Sequence, residues 1–381
     1  MKKILIAAYV SFSLWSCHEN SKKDNPDFYL FVGAYTQSDE EGIETFRFSI
    51  EDGSLEHLST TKRIVNPSYL AIDESYSLMV AVNEVVEYKG GKSGSLSAFR
   101  INPDNGQLMK TNEVASGGGA PCYVSLNKNA NMALVANYVG GNVAMIPIDN
   151  KSTLLPYADL KQHVALDSTA DENRVPHAHA VVLDPGGKFA LVADLGLDMV
   201  ISYEVNLADG MLTRVDAFET KHGAGPRHLV FHPTKSFVYI INELNSSITA
   251  CRYVADSGRL VELNTVQTLP ENFEGQNSCA DIHISHDGKF LYGSNRGHDS
   301  IVVFSIDSND GDLHFVGHHS VQGATPRNFM IDPTDQYLLV ANQNSDNIVV
   351  FERNRSTGRL QSNGVEVKTY KPVCLKMMPI P

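Results

Sequence analysis

The chain has one tryptophan in 381 residues, Trp15, and it lies near the N-terminus, so the body of the sequence carries none. Cysteine is scarce too. Beyond Cys17 there are only Cys122, Cys251, Cys279 and Cys374, whose spacing matches no zinc-binding pattern. They sit in strand-like stretches far apart in sequence and read as small buried apolar residues. No basic run occurs, and Asp plus Glu (44) outnumber Lys plus Arg (31), for a formal net charge of −13. A chain this acidic is ill-suited to nucleic acid, and the charge reads as solubility. After the first residues, no apolar run is long enough to cross a bilayer.

What is present begins with a leader pattern. Lys2 and Lys3 precede an apolar run over residues 4–14, followed by "LWSC" at 14–17. This is a secretory signal, too short for a span. A Cys after a small residue at that point resembles a bacterial lipoprotein box, with Cys17 as the lipidated residue. A plain signal peptide with an incidental Cys is the alternative. The expected organisation is a leader over residues 1–17, a flexible polar tether over 18–27 and one domain over 28–381. The expected location is outside the cytoplasm, on the periplasmic or cell-surface side of a membrane. The lipid would be the only membrane contact, and the protein is expected to be a monomer.

Internal repetition decides the fold. "GPRHLVFHPTKSFVYIINELNSSITACRY" parallels "TPRNFMIDPTDQYLLVANQNSDNIVVFER" and "APCYVSLNKNANMALVANYVGGNVAMIPI". Each unit has an anchor, an apolar strand, a turn, a second apolar strand ending in a polar residue, and a third strand. Gly-containing turns such as "DSGRL" lead on to a fourth. Anchors fall at Pro67, Pro121, Ala178, Pro226, Cys279, Pro326 and Pro372, 46 to 57 residues apart. Units of about 50 residues with four short strands are propeller blades. Seven anchors predict an all-β, seven-bladed propeller of four-stranded antiparallel blades. Three strand candidates precede the first anchor and one, "PVCLKMMPI", follows the last. The C-terminal strand should therefore close the ring by joining the N-terminal blade.

In such a ring the innermost strands line a central channel. The residue after each anchor gives the column Ser68, Cys122, His179, Arg227, Ala280, Arg327 and Val373. Seventeen residues after each anchor, where the second strand returns to the same face, stand Glu84, Tyr138, Leu195, Glu243, Arg296 and Gln343. The position before it is Asn83, Asn137, Asp194, Asn242, Asn295 and Asn342, a series that suits structural capping. The charged residues gather on one side of the ring. Charges converging in a narrow channel must be solvated, paired or used on a ligand. A structural seal would be expected to recur blade by blade, so the one-sided cluster favours a ligand site.

At these residues the chain resembles the lactonase family of seven-bladed propellers. That family includes bacterial propeller-type 6-phosphogluconolactonases and fungal 3-carboxy-cis,cis-muconate lactonizing enzymes. The resemblance covers nearly everything from residue 29 onward. It rests on "VGAYT" (32–36), "PHAHAVVLDP" (176–185), "GPRHLVFHP" (225–233), "INEL" (241–244) and "SNRG" (294–297). It implies hydrolysis of an anionic, sugar-acid-type lactone at one mouth of the channel, with His179, Arg227, Glu243 and Arg296 as catalytic residues. Arg227 and Arg296 would hold the anionic substituent and polarise the ring carbonyl. Either Glu243 or His179 would activate water, and the other would protonate the leaving alkoxide. His177, His228, Asp281, His283, Arg327, Glu84, Asn242 and Asn295 are candidates for substrate binding or support. His228 and His283 read equally well as ordinary strand residues. No cofactor is expected, and no metal, because the arginines would repel a cation. A cycloisomerase could use the same residues. A non-catalytic surface propeller binding an anionic ligand or a protein is the reading from another class.

Overall fold

A strand that is apolar on both faces needs cover on both sides. The second strand of most repeats is of this kind: Leu78–Asn83, Met132–Asn137, Phe189–Asp194, Phe237–Asn242 and Tyr337–Asn342 are buried along their whole length. The computed structural model, which describes residues 27–164 and 174–381, shows how they are covered. Twenty-eight strands form seven four-stranded antiparallel sheets, with no helix among the described residues. Apolar clusters lie between successive sheets, so each sheet covers its neighbours. One joins residues such as Tyr239 and Ile241 to Leu291 and Val302, and the next joins Tyr292 and Val303 to Leu338 and Val340. Burying side chains of this size stabilises the fold by roughly 1.5–3 kcal/mol each.

The sheets are the blades. In chain order, blade 1 spans residues 70–115, blade 2 spans 121–162, blade 3 spans 178–219, blade 4 spans 226–267, blade 5 spans 278–320 and blade 6 spans 326–368. Blade 7 is built from both ends of the chain, in the order Pro372–Pro379, Phe28–Ala34, Gly42–Phe48, Leu55–Lys62. The innermost strands touch one another in a closed circuit, including the contact of Pro372–Pro379 with Leu70–Ile72. The C-terminal strand thus closes the ring as expected. Cys122, Cys251, Cys279 and Cys374 are all buried and free. The leader, most of the expected tether and Cys17 lie outside the described residues.

One backbone irregularity places the functional residues. In six blades the first rungs of the innermost ladder skip: the register shifts between Pro121 and Tyr123, Ala178 and Ala180, Pro226 and His228, Cys279 and Ile282, and Pro326 and Asn328, and opposite Val373 in blade 7. A bulge leaves one residue unpaired and re-aims its side chain. The residue after the anchor is therefore freed from strand alternation. Arg227 and His228 can both serve the channel, which explains why a core strand begins with a guanidinium and an imidazole.

Candidate active site

Side chains from the second position after the anchors meet across separate blades and form a floor inside the ring. Tyr69 and Tyr123 stack with centroids 4.0 Å apart, and the edge of His228 meets Tyr123 at 5.2 Å. His228 Nδ1 donates to Asp281 Oδ1 at 2.8 Å. Asp281 Oδ2 accepts from His283 Nε2 at 2.9 Å and from the Asn328 amide, whose own Oδ1 accepts the Leu375 N–H at 2.8 Å. Burial pushes the Asp281 carboxyl up, but the opposing charge of His283 and hydrogen bonds from His228 and His283 more than reverse this and hold it well below its ordinary value. His228 goes the other way. Burial and the Arg227 charge outweigh Asp281 and lower it to about 4, so the ring is neutral near pH 7. Its Nε2 is then a free acceptor and lies 3.2 Å from Arg227 Nη1.

Above this floor sits the charged cluster. Arg227 is only 2% exposed. Its Nε lies 2.9 Å from Glu243 Oε2, and its Nη1 donates to the Ala280 carbonyl. Arg296 Nη2 lies 2.9 Å from Glu243 Oε1 and also donates to the Cys279 carbonyl at 2.8 Å. One carboxylate is thus held between two guanidiniums from adjacent blades. Burial raises the Glu243 carboxyl, but Arg227, Arg296 and Arg327 more than reverse this and hold it below its ordinary value. Burial and the charges of Arg296 and Arg327 push Arg227 down to about 10, so it remains a cation. The Glu243 side chain keeps about 20% of its surface exposed, enough for water to reach it. Backbone geometry fixes the cluster. Gly225, at φ +63, accepts the Glu243 N–H at 2.7 Å. Gly297, at φ +121, follows Arg296 where a Cβ would lie 2.2 Å from the Gln276 carbonyl oxygen.

His179 stands on blade 3, next to blade 4, and is buried. Its Nδ1 lies 3.7 Å from Cys122 Sγ, and its ring meets Tyr138 edge-on at 5.5 Å. Burial, then Arg227, His228 and Arg327, hold it well below its ordinary value, so it is neutral near pH 7. Across the channel, the Arg327 guanidinium lies over the Tyr35 ring at 5.4 Å, and the Tyr35 hydroxyl bonds to both oxygens of Glu84 at 3.1 Å.

The structure therefore brings together His179, Arg227, Glu243, Arg296 and Arg327 at the inner strands, with His228, Asp281 and His283 in the layer beneath. Glu84 stands behind Tyr35. His177 is half-buried at the rim, stacked on Tyr138 at 4.4 Å, with its Nδ1 bonded to the Tyr138 carbonyl. Asn242 and Asn295 do not join the site. Asn242 donates to Ser247 and Thr249 within its own blade, and Asn295 to the Thr268 carbonyl and Ser300. Sequence reasoning missed Tyr35, Tyr69, Tyr123 and Asn328. Tyr35 lies in the "VGAYT" motif, and the other three stand two residues after their anchors, in a column next to the one that was read. A cleft of about 690 Å³ opens beside the mouth, lined by Val86, Gly118, Gly119 and Val139 but not by the charged cluster.

Comparison with known proteins identifies the family of this fold. The model of the family described as lactonase, 7-bladed beta-propeller, matches residues 29–377. A 6-phosphogluconolactonase of Bacillus subtilis is 32% identical over 348 residues, 91% of this chain and 97% of the relative. A 6-phosphogluconolactonase of Formosa agariphila is 34% identical, covering 87% of this chain and 94% of the relative. Among solved structures, the periplasmic gluconolactonase of Pseudomonas aeruginosa superimposes with a TM-score of 0.87 at 34% identity, over 93% of this chain and all of that one. The chain belongs to the lactonase family of seven-bladed β-propellers.

Proposed function

We propose that the protein hydrolyses a sugar-acid lactone bearing an anionic group, at the mouth of the channel formed by blades 3 to 6. The observation that carries this reading is the pair of ion pairs on Glu243, which keeps an ionised, water-accessible carboxylate beside two cations. Its relatives named 6-phosphogluconolactonase and gluconolactonase support the reaction class.

In this mechanism Glu243 accepts a proton from a water molecule as the water oxygen bonds to the lactone carbonyl carbon. The carbonyl becomes an oxyanion, which Arg227 and Arg296 stabilise through their remaining N–H groups; positioned donors of this kind contribute about 3 kcal/mol each. Collapse of the intermediate breaks the ring C–O bond. The proton on Glu243 passes to the departing alkoxide, directly or through His179, whose neutral ring can accept and return it. The product is a hydroxy acid, which ionises. The Asp281–His228 pair fixes the imidazole so that its Nε2 faces Arg227 as an acceptor, holding that guanidinium in place.

We read the site as working outside the cytoplasm. The leader pattern over residues 1–17 supports this, and the Pseudomonas aeruginosa relative is a periplasmic enzyme. The function is tested by following acid release from a panel of phosphorylated, carboxylated and neutral sugar lactones. The expected result is turnover with saturation on at least one anionic member. No turnover on any member, with tight binding of one, would instead mark a binding protein.

A further inference from the structure

Blades 4 and 6 place an arginine at the same bulged position, but the two arginines meet different surroundings. In blade 4, Arg227 faces Glu243, which stands seventeen residues after the anchor, and its Nη1 is taken by the Ala280 carbonyl. In blade 6 the corresponding residue is Gln343, which carries no charge, and its buried Oε1 has no hydrogen-bond partner. Arg327 has no ion pair within 4.0 Å and no hydrogen bond among the described residues. What it has is the face of Tyr35, at 5.4 Å. The nearby carboxylate, Glu84, is held by the Tyr35 hydroxyl instead. The Arg327 donors have no partner among the described residues and none of them is sealed off from solvent, so the guanidinium is open to an acceptor from outside the chain. Its charge depresses His179, Arg227 and Arg296, which stand on three other blades, so it acts near the centre of the mouth.

We propose that Arg327, oriented by the ring of Tyr35, is the receptor for the anionic substituent of the substrate, in a subsite separate from the Arg227–Glu243–Arg296 cluster. This rests on the lactonase reading above and corrects one part of the expectation from sequence. Arg227 and Arg296 are committed to Glu243 and to backbone carbonyls, so the reacting carbonyl falls to them and the remote anion to Arg327. A planar guanidinium takes a carboxylate or a phosphate through two parallel N–H bonds, and the ring stacked on its face leaves that edge open. The substrate class is therefore a lactone carrying a phosphate or carboxylate away from the ring carbonyl.

The test compares wild type, Arg327→Gln and Arg327→Lys on neutral gluconolactone, a phosphorylated lactone and a carboxylated lactone. Loss of two charge-assisted bonds should lower the anionic-to-neutral ratio of kcat/KM by about 100-fold in Arg327→Gln, mainly through KM. Arg327→Lys should recover part of that ratio, having the charge without the fork. The larger loss, on the phosphorylated or the carboxylated lactone, identifies the group. An unchanged ratio, or an equal loss on neutral and anionic lactones, would overturn the proposal. Inorganic phosphate binding by calorimetry separates this proposal from the lactonase reading. If no lactone turns over but wild type binds phosphate and Arg327→Gln does not, the subsite stands and the reaction assignment falls. If wild type binds no phosphate and shows no preference for anionic lactones, the subsite falls.

Discussion

Two neighbouring columns at the ends of the second strands follow opposite rules. Asn83, Asn137, Asp194, Asn242, Asn295 and Asn342 are all buried, and nearly the same residue occupies six of the seven blades. Their side chains bond within their own blades or to the loops leading into their own innermost strands, as Asn137 does to the Ser116 carbonyl and Asn342 to the Val321 carbonyl. One residue further on stand Glu84, Tyr138, Leu195, Glu243, Arg296 and Gln343, no two adjacent blades alike. The first column solves a problem that every blade shares, namely satisfying buried backbone groups where a strand ends. The second faces the channel, where each blade contributes something different. In a repeat protein, sameness marks architecture and difference marks chemistry.

The sharpest way to break that contrast is Glu243→Gln. If the variable column carries the reaction, removing one carboxylate while keeping its shape should lower kcat by roughly 10²- to 10⁴-fold. The melting temperature should fall as well, because Arg227 and Arg296 lose their shared counter-charge; removing one member of a buried pair costs about 3–5 kcal/mol. Steady-state kinetics beside thermal melts read both effects. Undiminished turnover would remove Glu243 from the mechanism and leave His179 as the base.

Asp281→Asn probes the floor beneath the cluster. All five groups bonded to the Asp281 carboxylate are donors: His228 Nδ1, His283 Nε2, the Asn328 amide, the Ile282 N–H and the Phe329 N–H. An amide there would turn a donor toward donors and remove a buried charge, at a cost of about 3–5 kcal/mol. Arg227 would also lose a fixed neighbour in His228, and kcat should fall by roughly 10- to 100-fold. A fully active, fully stable variant would show that the floor neither supports the ring nor positions Arg227.

Asn295→Ala tests the other column. It removes the bonds to the Thr268 carbonyl and to Ser300 and leaves buried groups unpaired, costing about 1–3 kcal/mol by chemical denaturation. Its kcat/KM should stay near that of wild type. A large loss of activity with little loss of stability would erase the distinction between the columns.

Most of the fold was legible in the sequence, because repetition exposes itself. Seven anchors at near-regular spacing gave the blades, and departures from the repeat singled out His179, Arg227, Glu243 and Arg296. The bulge was not legible. Strict alternation would send Arg227 and His228 to opposite faces of the sheet, and only the skipped rung explains how both serve the channel. The floor was hidden for the same reason, since Tyr69, Tyr123 and Asn328 look like ordinary strand residues until the rings and amides of separate blades meet. Asn242 and Asn295 were read toward the site because they adjoin Glu243 and Arg296 in sequence. On a strand, the next residue faces the other way.

The smallest expected effect is on rate as pH falls, and there the two roles should separate within one molecule. His228 is lowered from 6.5 to about 4 in the folded protein. Between those values the unfolded chain binds a proton that the folded chain does not, so stability decreases as pH drops through this window. It is fully present above about 6.5 and levels off below about 4, and the His228 contribution amounts to about 3 kcal/mol. His179, also held well below its ordinary value, acts in the same direction. Glu243 behaves differently. Its carboxyl lies below its ordinary 4.5, so it stays largely ionised from pH 7 to 5, and its own contribution to stability is lost only as pH falls through that depressed value. If Glu243 is the base, kcat on a reactive lactone should change by less than about twofold from pH 7 to 5, while the melting temperature declines over the same range. A limb in the kcat profile near pH 6.5 would show an imidazole titrating in the reaction, transferring the role of base from Glu243 to a histidine.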